Sequence, residues 1–140
     1  MEKSRLQFSN PVLTKLEFQL NPEFQENEDG EVSLETKFNT KISIPEKSQS
    51  SAAVALEITI EAEEKNNSPF IIDAEMISQF VWERDSLTET SLNELLRQNA
   101  PALLLGYLRP IIASMTMLAN LPPYHIPFMD FSGEVNSESS

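Results

Sequence analysis

The chain has 140 residues, with 10 Lys and Arg against 22 Asp and Glu, a formal net charge of −12 and no cysteine. That length fits one domain, and that charge excludes wrapping of nucleic acid, where each phosphate contact needs a cation, and opposes binding to anionic membrane surfaces. The missing cysteine removes disulfide scaffolds, zinc–thiolate sites and thiol nucleophiles together.

In chain order, residues 1–5 are not followed by an apolar run of signal-peptide length, so no secretory signal is read and the protein is placed in the cytoplasm. Four segments then alternate with period two, at about 12–20, 32–44, 53–63 and 70–83, and the even positions are the apolar ones. Such alternation predicts half-buried antiparallel strands, one face on a core and one in water. The links are turn-like: a polar acidic stretch with Asp29-Gly30, a Ser-rich stretch at 45–51, and Lys65-Asn66-Asn67-Ser68-Pro69, which predicts a hairpin.

After Arg84 the period changes. Ser86 with Glu89, or Ser91 with Glu94, offers a capping box. Leu92, Leu95 and Leu96 make a short stripe that ends at Asn99, before Pro101. A longer stripe follows, with Leu103, Leu104, Tyr107, Leu108, Ile111, Ile112, Met115, Leu118 and Leu121 at spacings of three and four. Inside a helix Pro110 would lose the bond to the Gly106 carbonyl and clash there, at about 3 kcal/mol, so a break at Gly106 is expected, with Pro110 in the first turn of the main helix. Pro122-Pro123 stops that helix, 124–131 is extended, and 135–140 reads as a frayed acidic tail. The fold class is α+β: a four-stranded antiparallel sheet followed by two helices packed on one face, with residues 1–135 as one domain and 136–140 as a flexible tail.

Residues 100–121 imitate a membrane span, but Arg109 near the middle, Pro110 beside it and the lack of a cationic flank downstream argue for a helix buried in protein. The odd strand positions carry Glu17, Glu35, Glu57, Glu61, Glu63, Asp73, Glu75 and Glu83 against Lys15, Lys37 and Lys41, so the sheet's second face is acidic. It reads either as a solvated surface or as a docking face for a basic partner, and Ile71, Ile77 and Val81 on that same face favour an interface. The long helix is apolar around much of its circumference, so a second copy of the chain is expected to cover Tyr107, Ile111, Ile112, Met115 and Leu118.

Enzyme chemistry has little to stand on. His125 is the only histidine, nothing near it offers a triad, and it reads as a packed or surface residue. The carboxylates show no paired setting and no calcium-loop spacing, and three scattered glycines make no phosphate loop. No cofactor or metal is expected.

The run Asn99-Ala100-Pro101-Ala102-Leu103-Leu104-Leu105-Gly106-Tyr107-Leu108-Arg109, with Leu121-Pro122-Pro123-Tyr124-His125-Ile126-Pro127-Phe128, resembles the C-terminal half of SecB, the bacterial protein-export chaperone. The segment Val12-Leu13-Thr14-Lys15-Leu16-Glu17-Phe18-Gln19-Leu20-Asn21-Pro22 is similar to that family's first strand. The resemblance implies four antiparallel strands followed by helices, a dimer of dimers with long helices between sheets, and ATP-independent holding of unfolded preproteins in apolar grooves. It also implies hand-over to the translocase ATPase SecA, which docks on the acidic sheet face. Here that face would include Ile71, Asp73, Glu75, Glu57 and Glu61. Two acidic first-strand positions of SecB appear as Lys15 and Gln19, Gly106 stands for a usual proline, and Pro110 for an acid. SecB-like chaperones of antitoxins are compatible with these departures, and a non-enzymatic adaptor for one folded partner is a further alternative.

A holdase needs apolar surface and adaptable side chains. Met115, Met117 and Met129 supply flexible ones. Phe24, Trp82, Tyr124 and Phe128 supply aromatic anchors. The client groove is therefore expected at Phe24, Trp82, Met115, Met117, Tyr124 and Phe128, although core packing is the alternative for each.

Overall fold

Alternation of apolar and polar residues lets a strand bury one face and wet the other, and the chain does this along its first two-thirds. The computed structural model describes residues 6–25, 33–45, 50–63, 67–127, 129, 131 and 137–139. Its elements are β1 (Leu6–Phe8), β2 (Val12–Leu20), β3 (Leu34–Ser43), β4 (Ser51–Ala62), β5 (Phe70–Trp82), α1 (Glu89–Glu94), a π-helical turn (Leu95–Asn99), α2 (Ala100–Leu118) and β6 (Ser137–Ser139). The sheet runs β1-β5-β4-β3-β6, and β2 shares with β1 the outer edge of β5. The β2–β5, β5–β4 and β4–β3 pairings are all antiparallel. The four predicted strands are therefore present. β1 is an addition: its even positions Leu6 and Phe8 pair with Trp82 and Phe80 and continue the edge begun by β2.

Parity holds in the central strands. Val54, Leu56, Ile58 and Ile60 of β4 and Phe70, Ile72, Ala74, Met76, Phe80 and Trp82 of β5 are all buried. In β4 the odd positions Ala55 and Glu61 are buried as well, and in β2 the parity itself reverses. The register shifts between Leu13 and Lys15, so Leu13 pairs with Met76 and Val12 with Ile77, whereas Leu16, Phe18 and Leu20 pair with Ala74, Ile72 and Phe70. The bulge at Thr14 thus reverses the strand, and Val12, expected on the core face, sits on the outer one.

The helical part differs from the expected two helices. The N-cap is Thr88, whose hydroxyl accepts from the Ser91 amide at 3.1 Å, with Glu89 in the first turn where an acid suits the helix dipole. Neither Ser86 nor Ser91 is the cap. From there the helix runs through the π turn into α2 without a break, and Pro110 lies inside it. Packing overrides the proline. Leu104, Leu108 and Ile112 are fully buried on the sheet side, and each contributes about 1.5–3 kcal/mol relative to exposure, against about 3 kcal/mol for an interior proline. Gly106 and Pro110 are both exposed, so the carbonyl that Pro110 cannot serve is open to water.

The continuous helix Glu89–Leu118 is long and apolar enough to cross a membrane, but the buried row of α2 lies against the sheet. It ends in a left-handed cap. Asn120 has φ 61°, its amide donates to the Met117 carbonyl, and the Leu121 amide donates to that of Thr116, both at 3.0 Å.

Beyond the cap the chain returns along the helix. The buried Thr116 hydroxyl accepts the Tyr124 amide at 2.9 Å and donates to the Ala113 carbonyl at 2.9 Å. Ile126 is buried, and Phe131 meets Phe38 of β3 edge-on at 5.8 Å. Ser137–Ser139, expected within a frayed tail, pairs in parallel with Thr40, Lys41 and Ile42 of β3. The turn signal at Asp29-Gly30 and the start of the expected second strand lie outside the described residues.

Candidate functional site

The outer face of the sheet is built by the odd positions. Strand register sets Lys15, Glu75, Glu57 and Asn39 in one row across four strands, and Glu17, Asp73, Thr59 and Lys37 in the next. Glu57, Asp73 and Glu75 thus form one cluster. Ile71, beside Gln19, and Glu61, beside Glu35, lie toward the Phe70 end of the same face. The cluster is partly neutralised. Lys41 pairs with Glu57, Lys37 approaches Glu61 at 3.9 Å, the Thr14 hydroxyl donates to Glu75 Oε1 at 2.6 Å, and Thr59 donates to Asp73 Oδ1 at 2.7 Å. The Lys41 ammonium holds the Glu57 carboxyl below its ordinary value. Partial burial works against that, while hydrogen bonds involving Glu75 and Asn39 work with it. Val12 and Ile77 meet on this face and Val81 is exposed near its far end, so a band of apolar side chains crosses the acidic field.

A second surface lies on the helix side. Antiparallel to β5, helix α2 starts at the Phe80 end, where Tyr107 meets Phe8 edge-on at 6.4 Å, and finishes at the Phe70 end. There the Tyr124 ring stands edge-on to Phe70 at 6.3 Å and its hydroxyl meets that of Thr36 at 3.1 Å. Phe24 is half-buried at that same end, where its amide donates to Asn21. Met115 is half-buried, while Met117 is 57% and Leu118 80% exposed.

Five of the six expected groove residues can be placed. Phe24, Met115, Met117 and Tyr124 share the Phe70 end, and Phe128 lies outside the described residues. Trp82 does not join them. It is 8% exposed and closes the core at the opposite end of β5, twelve residues and about 40 Å from Phe70. The strand's length separates it from the others.

The expected oligomerisation residues also divide. Ile112 is fully buried in the core of its own chain, because the sheet side of α2 passes through it. Tyr107 and Leu118 are exposed and Ile111 and Met115 half-buried, so these four remain on the outward side. Sequence reading missed Phe8, which is 41% exposed and extends the apolar surface at Tyr107. Its alternation with Leu6 was the available signal, but three residues are too few to mark a strand.

Between α2 and the returning segment lies a cleft of about 590 Å³ lined by Arg109, Pro110, Ala113, Ser114, His125 and Ile126. Among the described residues it holds His125 and Ser114 and no carboxylate. Among the described residues no three His, Asp or Glu side chains gather to hold a metal ion.

The comparisons with known proteins agree on the kind of chain this is. A family model described as "SecB: Preprotein translocase subunit SecB" matches residues 12–137. The protein-export protein SecB of Anaplasma phagocytophilum is 35% identical over 92 residues, which cover 63% of this chain and 58% of that protein. An uncharacterised protein of Methanocaldococcus jannaschii is 27% identical over 136 residues, covering 94% of this chain and 83% of the other. Among solved structures, the SecB-like chaperone Rv1957 of Mycobacterium tuberculosis, in complex with a ChAD peptide from the HigA1 antitoxin, superposes with a TM-score of 0.71 at 16% identity. That match covers 89% of this chain and 91% of that one, and it shows the shared fold.

Proposed function

The chain belongs to the SecB family, and on that premise we propose that it is an ATP-independent holdase that keeps polypeptides unfolded in the cytoplasm. The observation that carries this reading is the apolar surface left accessible on the helix side, with Met117 exposed near the end of α2 and the half-buried Tyr124 edge-on to Phe70. Flexible methionines fit varied client side chains, and a half-buried tyrosine gives a rigid amphipathic anchor. Four outward helix residues, Tyr107, Ile111, Met115 and Leu118, support assembly of two or more copies through α2, up to a dimer of dimers. Clients destined for Sec-dependent export are the first reading. SecA would then meet the outer face at Ile71, Asp73, Glu75, Glu57 and Glu61, with Lys15 opposite Glu75 as a local change of sign.

A second reading, a dedicated chaperone of an antitoxin, is favoured by the antitoxin peptide carried by the Mycobacterium tuberculosis structure of the same fold. The deciding experiment is suppression of aggregation of a chemically denatured reporter protein at stoichiometric assembly. A holdase suppresses it without ATP, and a chain that leaves aggregation unchanged is not one. Titration with the C-terminal tail of SecA at low salt separates the branches, since only the export branch requires binding.

A further inference from the structure

Strand β6 occupies the outer edge of β3, with Ser137, Glu138 and Ser139 level with Thr40, Lys41 and Ile42. This pairing is parallel, whereas every other ladder among the described residues is antiparallel. It spans three residues of a ten-residue strand. Parallel pairing is the less stable kind per residue, and serine and glutamate are poor strand formers. The last five residues, Asn-Ser-Glu-Ser-Ser, contain no apolar side chain, so burial of hydrocarbon gives the tail little hold. An uncovered edge, by contrast, presents a row of unpaired N–H and C=O groups to any extended chain. Beside this edge stand Ile44, 50% exposed, and the half-buried Leu34 and Phe38.

We infer that the C-terminal strand is a displaceable cover of the β3 edge: it shields that edge when the protein is empty and yields it to an extended client segment of alternating apolar residues. The inference deepens the holdase reading and rests on it. The tail's own pairing is the observation that this edge accepts a strand. An entering segment would keep the backbone bonds and add side-chain contacts at Leu34, Phe38 and Ile44, which a serine-rich tail lacks. Because the tail occupies the edge part of the time, the apparent affinity for a competing strand is the intrinsic one multiplied by the fraction of time the edge is free.

The test compares the full chain, its Glu138→Pro variant and a chain ending at Val135. Proline fixes φ near about −65° at the centre of the three-residue ladder, away from the value a parallel strand needs, and the sheet's own strands are untouched in all three proteins. The probe is a fluorescein-labelled ten-residue peptide of alternating Thr and Val, read by anisotropy, alongside amide exchange at Thr40, Lys41 and Ile42. The expected result is about three- to tenfold tighter probe binding in both altered proteins, with faster exchange, when no probe is present, at those of the three amides that face β6 rather than β4. Equal affinity in the three proteins, with aggregation suppression intact, overturns the cover and leaves the holdase. Weaker binding without the tail overturns it too, by making the tail part of the binding surface. Absence of both probe binding and aggregation suppression in all three overturns the cover and the holdase together.

Discussion

The Arg109 guanidinium donates twice to one acceptor, the carbonyl oxygen of Ile126, through Nε at 3.1 Å and Nη2 at 2.6 Å. Seventeen residues apart in sequence, the two groups tie the middle of α2 to the segment that returns along it. Charge-assisted bonds of this kind are worth about 1.5–3 kcal/mol each against ordinary ones of about 1. Arg109→Met should lower stability by about 1.5–3 kcal/mol in urea unfolding, with Arg109→Lys in between because it keeps the charge but not the fork. An unchanged midpoint for the methionine variant would show that the clasp is incidental.

Thr116 holds the same segment closer to the helix end. Its hydroxyl is buried, donates to the Ala113 carbonyl and accepts the Tyr124 amide. Thr116→Val keeps the shape and leaves that amide without its acceptor, for an expected loss of about 1–3 kcal/mol, while Thr116→Ser should cost less. Amide exchange at Tyr124 reads the effect locally.

Glu57 makes the outer face pH-sensitive in a defined direction. Its folded value lies below the ordinary one, chiefly because of Lys41. The folded protein therefore binds fewer protons at this site than the unfolded chain. The resulting stabilisation is present above the ordinary carboxylate value and is lost as pH falls through the folded one. The Glu57 side chain is 36% exposed, so solvent screens the effect and keeps it small. Lys41→Met should move the Glu57 midpoint upward in an NMR titration of its side-chain carboxyl carbon. A midpoint that stays in place would assign the shift to Glu75 and Asn39 instead.

Assembly through α2 has its own variant. Leu118 is 80% exposed, so Leu118→Glu should leave circular dichroism unchanged and stability within about 0.5 kcal/mol. If α2 joins copies of the chain, light scattering will report a lower mass for this variant at equal concentration. Equal masses would move the assembly surface elsewhere.

Gly106 allows a gain. A methyl group added there meets no atom within 4 Å, and the residue sits within an unbroken helix. Gly106→Ala should stabilise the fold by about 0.5–1 kcal/mol, seen as a higher melting temperature. A lower melting temperature would mean that a neighbouring chain packs against this position.

The sheet was legible because burial on one face forces period two, and β5 obeys it over its full length while β4 departs from it only at the buried odd positions Ala55 and Glu61. Val12 was not, since the bulge at Thr14 is a backbone insertion with no side-chain signature of its own. The helix break expected at Gly106 came from weighing one proline against local propensity, whereas the buried row Leu104, Leu108, Ile112 outweighs it through tertiary contact. The acidic cluster of Glu57, Asp73 and Glu75 followed from parity alone. The aromatic groove did not. Residue type marks Trp82 and Tyr124 as anchors, but only strand length and direction show that they stand at opposite ends of the sheet.

The buried positions Ala100, Leu104, Leu108, Ile112 and Thr116 recur at every fourth residue. At 3.6 residues per turn each step of four advances the row by about 40°, so from Ala100 to Thr116 it winds about 160° around the helix. The twist of a sheet follows part of that winding, yet one sheet cannot face both ends of such a row. The sheet packs on α2 through β4 and β5, and the chain's own return adds Ile126 beside Arg109 and the Tyr124 amide on Thr116. The segment after the helix is thus a second wall made necessary by the helix's pitch, and shortening it would leave the helix from Arg109 to Thr116 without that lining.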